Sequence, residues 1–190
     1  MYERSEMKSK FIGIDLAGKS SNPTGWAILE DKCFNSKLVH EDAEIFEATV
    51  REQPTVVAVD APLSLPVTGS LRDVDLKLIR SGYRLFPPLF GGMRSLTYRG
   101  IRLARDLRED DICVIETHPL SARKALGFPL RNRTEIINVF QELGYTGIEK
   151  GLSFHEVDAI TGAFTAKLHH EHKTIIFKGY DGDIILPCAI

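Results

Sequence analysis

Phe11-Ile12-Gly13-Ile14-Asp15-Leu16-Ala17-Gly18 decides how the rest of this 190-residue chain is read. A short apolar run bounded by glycine predicts a strand buried on both faces. A carboxylate at the end of such a strand is costly to bury unless a metal ion or another cation compensates it. The pattern recurs twice: Val56-Val57-Ala58-Val59 runs into Asp60, and Ile112-Cys113-Val114-Ile115 runs into Glu116. Three strands therefore each deliver an acid to their C-terminal end, the edge of a parallel α/β sheet at which ligands bind.

The elements around these strands follow from pattern. Strand one is predicted over Lys10–Leu16, strand two over Thr24–Glu30 and strand three over Phe34–His40, with links short enough for antiparallel neighbours. Asp42–Glu52 reads as a helix capped by Asp42, and Val56–Asp60 as strand four, parallel to strand one through a right-handed crossover. Helices are predicted over Arg72–Ser81, with Val74, Leu78 and Ile79 inward, and from a Ser95 cap to Glu109. Strand five is Ile112–Glu116, followed by helices over Ser121–Leu126, Thr134–Leu143 and Phe154–His170. Lys173–Phe177 and Ile184–Leu186 can pair across the turn Gly179–Asp183.

Length suits one domain spanning residues 1–190, with a polar lead-in over 1–9 that lacks the apolar core of a signal peptide. A content of 43% hydrophobic and 26% charged residues is that of a water-soluble globular protein. No stretch approaches the ~18 apolar residues of a membrane span, so no membrane partner is expected and the cytoplasm is the default compartment. Cys33, Cys113 and Cys188 are too far apart for a disulfide framework or a zinc motif; Cys113, inside an apolar run, reads as a core residue. Oligomeric state leaves no signature in the sequence.

The net charge of −2 argues against a strongly basic nucleic-acid binder, but its distribution is uneven. From Arg72 to Arg133 there are 13 Lys and Arg against 7 Asp and Glu, and 11 of the 13 arginines fall in that stretch. Arginine suits bidentate contact with phosphate or carboxylate, although any one of these can simply lie on a solvated helix face.

The acids carry the chemistry. Asp15 and Asp60 are predicted to end adjacent parallel strands, where two carboxylates repel unless one is protonated or a cation sits between them. Mg²⁺ and Mn²⁺ choose carboxylate oxygens. Asp158, in His155-Glu156-Val157-Asp158-Ala159, lies on a helix whose Ala159, Gly162, Ala163 and Thr165 are small enough to let its backbone approach the sheet. His155, one turn earlier, can relay a proton or cap the helix. Glu116, in Glu116-Thr117-His118-Pro119, is a ligand, a supporting residue or the partner of an arginine. His118 is structural or faces a substrate. Arg72 and Asp75, one turn apart, can form a helix ion pair. The histidines at 169, 170 and 172 read as a solvated helix end.

With these residues in place, the chain from Phe11 to Pro187 resembles a family of predicted nucleases with the ribonuclease H-like fold. The resemblance rests on Gly13–Gly18, Thr24-Gly25, Asp60-Ala61-Pro62-Leu63, Arg72-Asp73-Val74-Asp75, Glu116-Thr117-His118-Pro119 and His155–Ala159. It implies an α/β fold with a mixed five-stranded sheet of order 3-2-1-4-5, strand two antiparallel to the rest. It also implies metal-dependent phosphodiester hydrolysis on a nucleic acid or nucleotide. Asp15 would bridge two ions, with Asp60 and Asp158 each holding one. Here the fourth acid would be Glu116, which bears on whether one ion or two is bound. The long segment 61–111 reads as a helical insertion covering the substrate, with Arg72, Arg94 and Arg99 as phosphate contacts and His118 and His155 nearby. Two other classes stay open. One is an actin-like or sugar-kinase-type domain using Asp15–Ser20 as a phosphate loop. The other is a non-catalytic metal- or anion-binding module.

Overall fold

A computed structural model describes residues 9–189; the lead-in expected over 1–9 falls, apart from Ser9, outside the described residues. β1 (Lys10–Asp15), β2 (Thr24–Glu30) and β3 (Cys33–Val39) form an antiparallel meander. β4 (Val56–Val59) joins the free side of β1 in parallel, and β5 (Val114–Glu116) joins β4 in parallel. The order is β3-β2-β1-β4-β5, as the family resemblance implied, with β1 in the centre.

Both faces of the central strands are covered, which is why they read as unbroken apolar runs rather than alternating ones. On one face Ile12, Ile14, Val57, Val59 and Val114 meet Ile45 of α1 (Asp42–Arg51) and Leu103, Ala104 and Leu107 of α3 (Met93–Glu109). On the other, Phe11, Val56, Ala58 and Ile115 meet α5 (Arg133–Glu142) and α6 (Phe154–His170). Each large apolar side chain so buried stabilises the fold by roughly 1.5–3 kcal/mol. The small-residue stripe of α6 does what its pattern predicts. A Cβ on Gly13 would lie 1.9 Å from the Ala159 carbonyl oxygen, and one on Gly25 would lie 1.9 Å from the His155 carbonyl oxygen. The helix backbone thus rests directly on β1 and β2, with its N-terminal turn beside the C-terminal end of β1.

Between β4 and β5 the chain runs through irregular segments and two helices, α2 (Asp73–Arg80) and α3. α4 (Pro119–Leu126) follows β5, with proline in its first turn and Gly127 closing it in the left-handed conformation at φ 73°. β6 (Thr174–Gly179) and β7 (Gly182–Pro187) form the C-terminal hairpin and pack on α2 and α4 through Ile184 and Leu186. Asp181 in its turn accepts the Asp73 N–H at 2.8 Å, capping α2 from a distant part of the chain.

Four local expectations are corrected. Asp42 does not cap α1; Glu41 occupies that position without a side-chain bond, and Asp42 pairs with Arg99. Ser95 lies inside the first turn of α3, which begins after Gly92. Ile79 points outward, and Asp75 takes the buried place beside Val74 and Leu78. Cys113 is exposed, because β5 begins one residue later. No helix among the described residues is long and apolar enough to cross a membrane.

Candidate active site

Three acids meet where β1 and β4 end. The Asp60 N–H donates to the Ile14 carbonyl at 2.8 Å, so Asp15 and Asp60 leave neighbouring strands at the same level. Alternation along the strands puts both on the α6 side: Asp15 continues the face of Phe11, and Asp60 that of Val56 and Ala58. α6 brings the third. Its start is fixed by a reciprocal cap in which Ser153 Oγ accepts the Glu156 N–H at 3.2 Å and Glu156 Oε2 accepts the Ser153 N–H at 2.9 Å. Asp158 follows one turn further on.

Two basic side chains answer these acids. Nδ1 of His155 lies 2.6 Å from Asp15 Oδ2. Nη1 of Arg123, on α4, donates to Asp158 Oδ1 at 2.5 Å and to Thr161 Oγ1 at 3.1 Å. The two partners differ in freedom. The His155 side chain is 47% exposed, whereas that of Arg123 is 3% exposed. The Arg123 Nε, also buried, has no hydrogen-bond partner among the described residues.

The balance of charge remains negative. Burial and then the carboxylates of Asp15, Asp158 and Glu116 push Asp60 well above the usual carboxylate range, with Arg123 opposing them. Burial also raises Asp158; Asp15 adds to the shift, and Arg123 and His155 counter it. The hydrogen bond to Asp15 raises His155. His118 is held neutral: burial, helped by the Arg123 charge, lowers it to about 4.

Glu116, expected as the fourth acid, stands apart from the three. It continues the face of Val114, opposite α6, and is buried in a fork with Arg72. Arg72 Nη1 and Nη2 donate to Glu116 at 2.7 and 2.5 Å, and the Leu63 N–H adds a third bond at 2.7 Å. Of the readings left open for Glu116, the arginine pair is the one observed.

The expected phosphate contacts divide. Arg72 is 1% exposed and its donors are taken by Glu116, Asp75 and Ser64, so it ties the insertion to β5 rather than facing a substrate. Arg99, 5% exposed, bonds Asp42 and the carbonyl oxygens of Ala17 and His40, locking α3 to the end of β1. Only Arg94 of the three is exposed, its guanidinium over the Tyr98 ring at 5.9 Å. His118 caps α4, with Nδ1 2.7 Å from Ser121 Oγ. It also lines a cleft of about 160 Å³ that reaches from Asp60 past Thr117 to Phe86, Met93 and Leu96 of the insertion.

The segment Leu16–Pro23 passes through a turn into β2, and no helix follows β1 to form a phosphate loop. Among the described residues, no three His, Cys, Asp or Glu side chains stand together as a ready metal-ligand set. The ion pairs occupy one oxygen each of Asp15 and Asp158. Asp15 and Asp60 still offer hard oxygen donors on one face at one level. The partner of Asp15 is an exposed, rotatable imidazole that can yield. The pair therefore fits a divalent cation such as Mg²⁺ or Mn²⁺. Arg123 was missed by sequence reasoning: α4 was expected, but nothing in Ser121-Ala122-Arg123-Lys124 marks which basic residue turns inward.

Three comparisons bear on the chain. A sequence model of a family described as "Protein of unknown function (DUF429)" matches residues 13–134. No curated protein sequence matches. Among solved structures, the RuvC of T. thermophilus in complex with a Holliday junction substrate superposes with a TM-score of 0.54 at 16% identity, covering 86% of this chain and 96% of that one. A second structure of Thermus thermophilus RuvC gives 0.49 at 18% identity, with the same coverage of 86% and 96%. At such identity the superposition establishes the ribonuclease H-like fold and nothing finer.

Proposed function

The chain belongs to the DUF429 family, and we propose that this member is a divalent-metal-dependent nuclease that hydrolyses phosphodiester bonds in nucleic acid. The observation that carries this reading is the meeting of Asp15, Asp60 and Asp158 on one side of a ribonuclease H-like sheet, at the end where parallel strands present their ligands. The Asp15 and Asp158 carboxylates add to the raised proton affinity of Asp60, and a divalent cation would offset that repulsion. The fold's representative bound to a Holliday junction makes a nucleic acid the natural substrate class to test first.

Asp15 and Asp60 would hold the ion, Mg²⁺ or Mn²⁺. Such an ion activates water and neutralises charge developing on a phosphoryl group. His155, at the exposed rim with Nδ1 on Asp15, is placed to accept or return a proton. Exposed Arg94 at the start of α3 would contact the phosphate backbone. The cleft that Asp60 shares with Phe86, Met93 and Leu96 gives a substrate a way in from the side of the insertion.

The test is cleavage of end-labelled single-stranded, duplex and branched DNA and RNA with Mn²⁺ or Mg²⁺, with the Asp15→Asn variant as control. Metal-dependent products that disappear in the variant support the reading. Bound metal with no product over the whole panel would overturn it in favour of a non-catalytic binding module.

A further inference from the structure

The three acids are not equally available to a metal. Asp15 and Asp60 end adjacent strands at one level, and the partner of Asp15 among the described residues is an exposed histidine. Asp158 is bound by a guanidinium that packing holds in place: Arg123 is 2% exposed and clamped between Asp158 and Thr161 on one face of α6. Thr161 is itself fully buried and bonds back to the Val157 carbonyl at 2.9 Å, so the clamp has little room to turn.

Charge and donor counts point the same way. One divalent ion and one guanidinium already offset three carboxylate charges, and any proton on His155 adds positive charge to the same site. A second divalent ion would leave the half-buried site with excess positive charge. It would also need further oxygen donors. Asp158 is engaged by Arg123, and the next acid along the sheet edge, Glu116, is spent in the buried fork with Arg72. A purely structural ion pair would satisfy all its polar atoms, whereas the Arg123 Nε is buried without a partner.

We infer that Arg123 stands in for a second metal ion, so that this site holds a single divalent cation, on Asp15 and Asp60, while Arg123 supplies the other positive charge at Asp158. Arg123 is in this sense a positioning residue that sets metal stoichiometry. The inference rests on the metal-dependent reading given above.

The test counts Mn²⁺ bound to the full chain at saturation, by calorimetric titration and by the EPR signal of free Mn²⁺. The wild-type protein is expected to bind one ion per chain. Arg123→Lys, which keeps the charge, is expected to bind one. Arg123→Gln, which removes it, is expected to bind two. Two ions in the wild type, or an unchanged count of one in a folded Arg123→Gln variant, overturns the inference and leaves the metal-dependent reading intact. No ion in the wild type overturns that reading and the inference with it. Thermal melts report whether Arg123→Gln is folded. If it is not, the wild-type and Arg123→Lys counts decide: one ion in each supports the inference, and two in either overturns it.

Discussion

Gly13 of β1 lies under Ala159 of α6 so closely that a Cβ on the glycine would sit 1.9 Å from the helix carbonyl oxygen and 2.3 Å from the Ala163 nitrogen. Neither of those atoms can move without moving the helix. A Gly13→Ala change therefore has to lift α6 from the sheet, at a cost of about 3 kcal/mol, the upper end for overpacking. The same displacement carries Asp158 away from Asp15. Chemical denaturation is expected to show the loss of stability, and residual activity at a temperature where the variant is still folded should fall as well. An alanine tolerated with unchanged stability would mean that helix and strand are not in this contact.

Replacing Asp15 or Asp60 separates function from stability. Asp15→Asn and Asp60→Asn are each expected to reduce metal-dependent cleavage at least ~100-fold, the upper end of what altering a metal's outer-shell partners costs. In the metal-free protein Asp60→Asn should be more stable than the wild type at neutral pH. Its raised proton affinity means that ionising it opposes folding: the penalty is absent below the ordinary carboxylate pKa and grows as pH rises through the raised one. A gain of about 0.5–2 kcal/mol is expected, as for other destabilised functional positions. Melts in chelator check it, and an Asp60→Asn protein that melts lower would contradict the electrostatic account.

The features that could be read from the sequence are those that local pattern determines. The apolar runs ending in Asp15 and Asp60 specify doubly covered strands whatever else the chain does. The short links around β2 and the longer passage to β4 then fix order and direction. The spacing of Ala159, Gly162, Ala163 and Thr165 signals a close helix, and Gly13 and Gly25 are its counterparts on the sheet. Pairings chosen by the tertiary fold are different. Arg72 meets Glu116 across 44 residues and Arg123 meets Asp158 across 35, and no periodicity distinguishes these arginines from the exposed ones around them. Both were open to misreading for the same reason: a basic residue in an arginine-rich helical stretch looks solvent-facing or substrate-facing until the packing beneath it is known. Glu116 likewise ends its strand as Asp15 and Asp60 do, but an offset of one position along β5 sends it to the other face.

The Arg72–Glu116 fork makes a distinct prediction. Removing one member strands a buried charge, so Arg72→Met should cost about 3–5 kcal/mol, as does breaking other buried pairs. Asp75 loses its partner in the same change, which places the loss at the upper part of that range. The double variant Arg72→Met/Glu116→Leu should lose less than the sum of the single changes, because Glu116 is then no longer stranded and Asp75 alone lacks its partner. A phosphate contact would behave otherwise: Arg72→Met would weaken substrate binding and leave the melt in place. Comparing the two single variants with the double in one thermodynamic cycle decides between them.

His118 gives the pH dependence its shape on the acid side. Burial and the nearby Arg123 charge lower its pKa to about 4, against 6.5 for an unperturbed histidine. In the folded protein the ring therefore stays neutral, with Nδ1 accepting the Ser121 N–H as the cap of α4. In the unfolded chain it gains a proton as pH falls below 6.5. The unfolded state binds more protons throughout that window, so stability is full above it and declines as pH drops from 6.5 towards 4. The contribution of one group to the slope is at most about 1.4 kcal/mol per pH unit. Asn at this position keeps a capping oxygen but does not titrate, so His118→Asn should melt with a flatter acid limb while remaining folded at neutral pH. Equal slopes for the two proteins between pH 6.5 and 4 would show that His118 ionises in the folded state as it does in the unfolded one. The cap would then have to be held by the imidazolium, which has no lone pair to accept the Ser121 N–H.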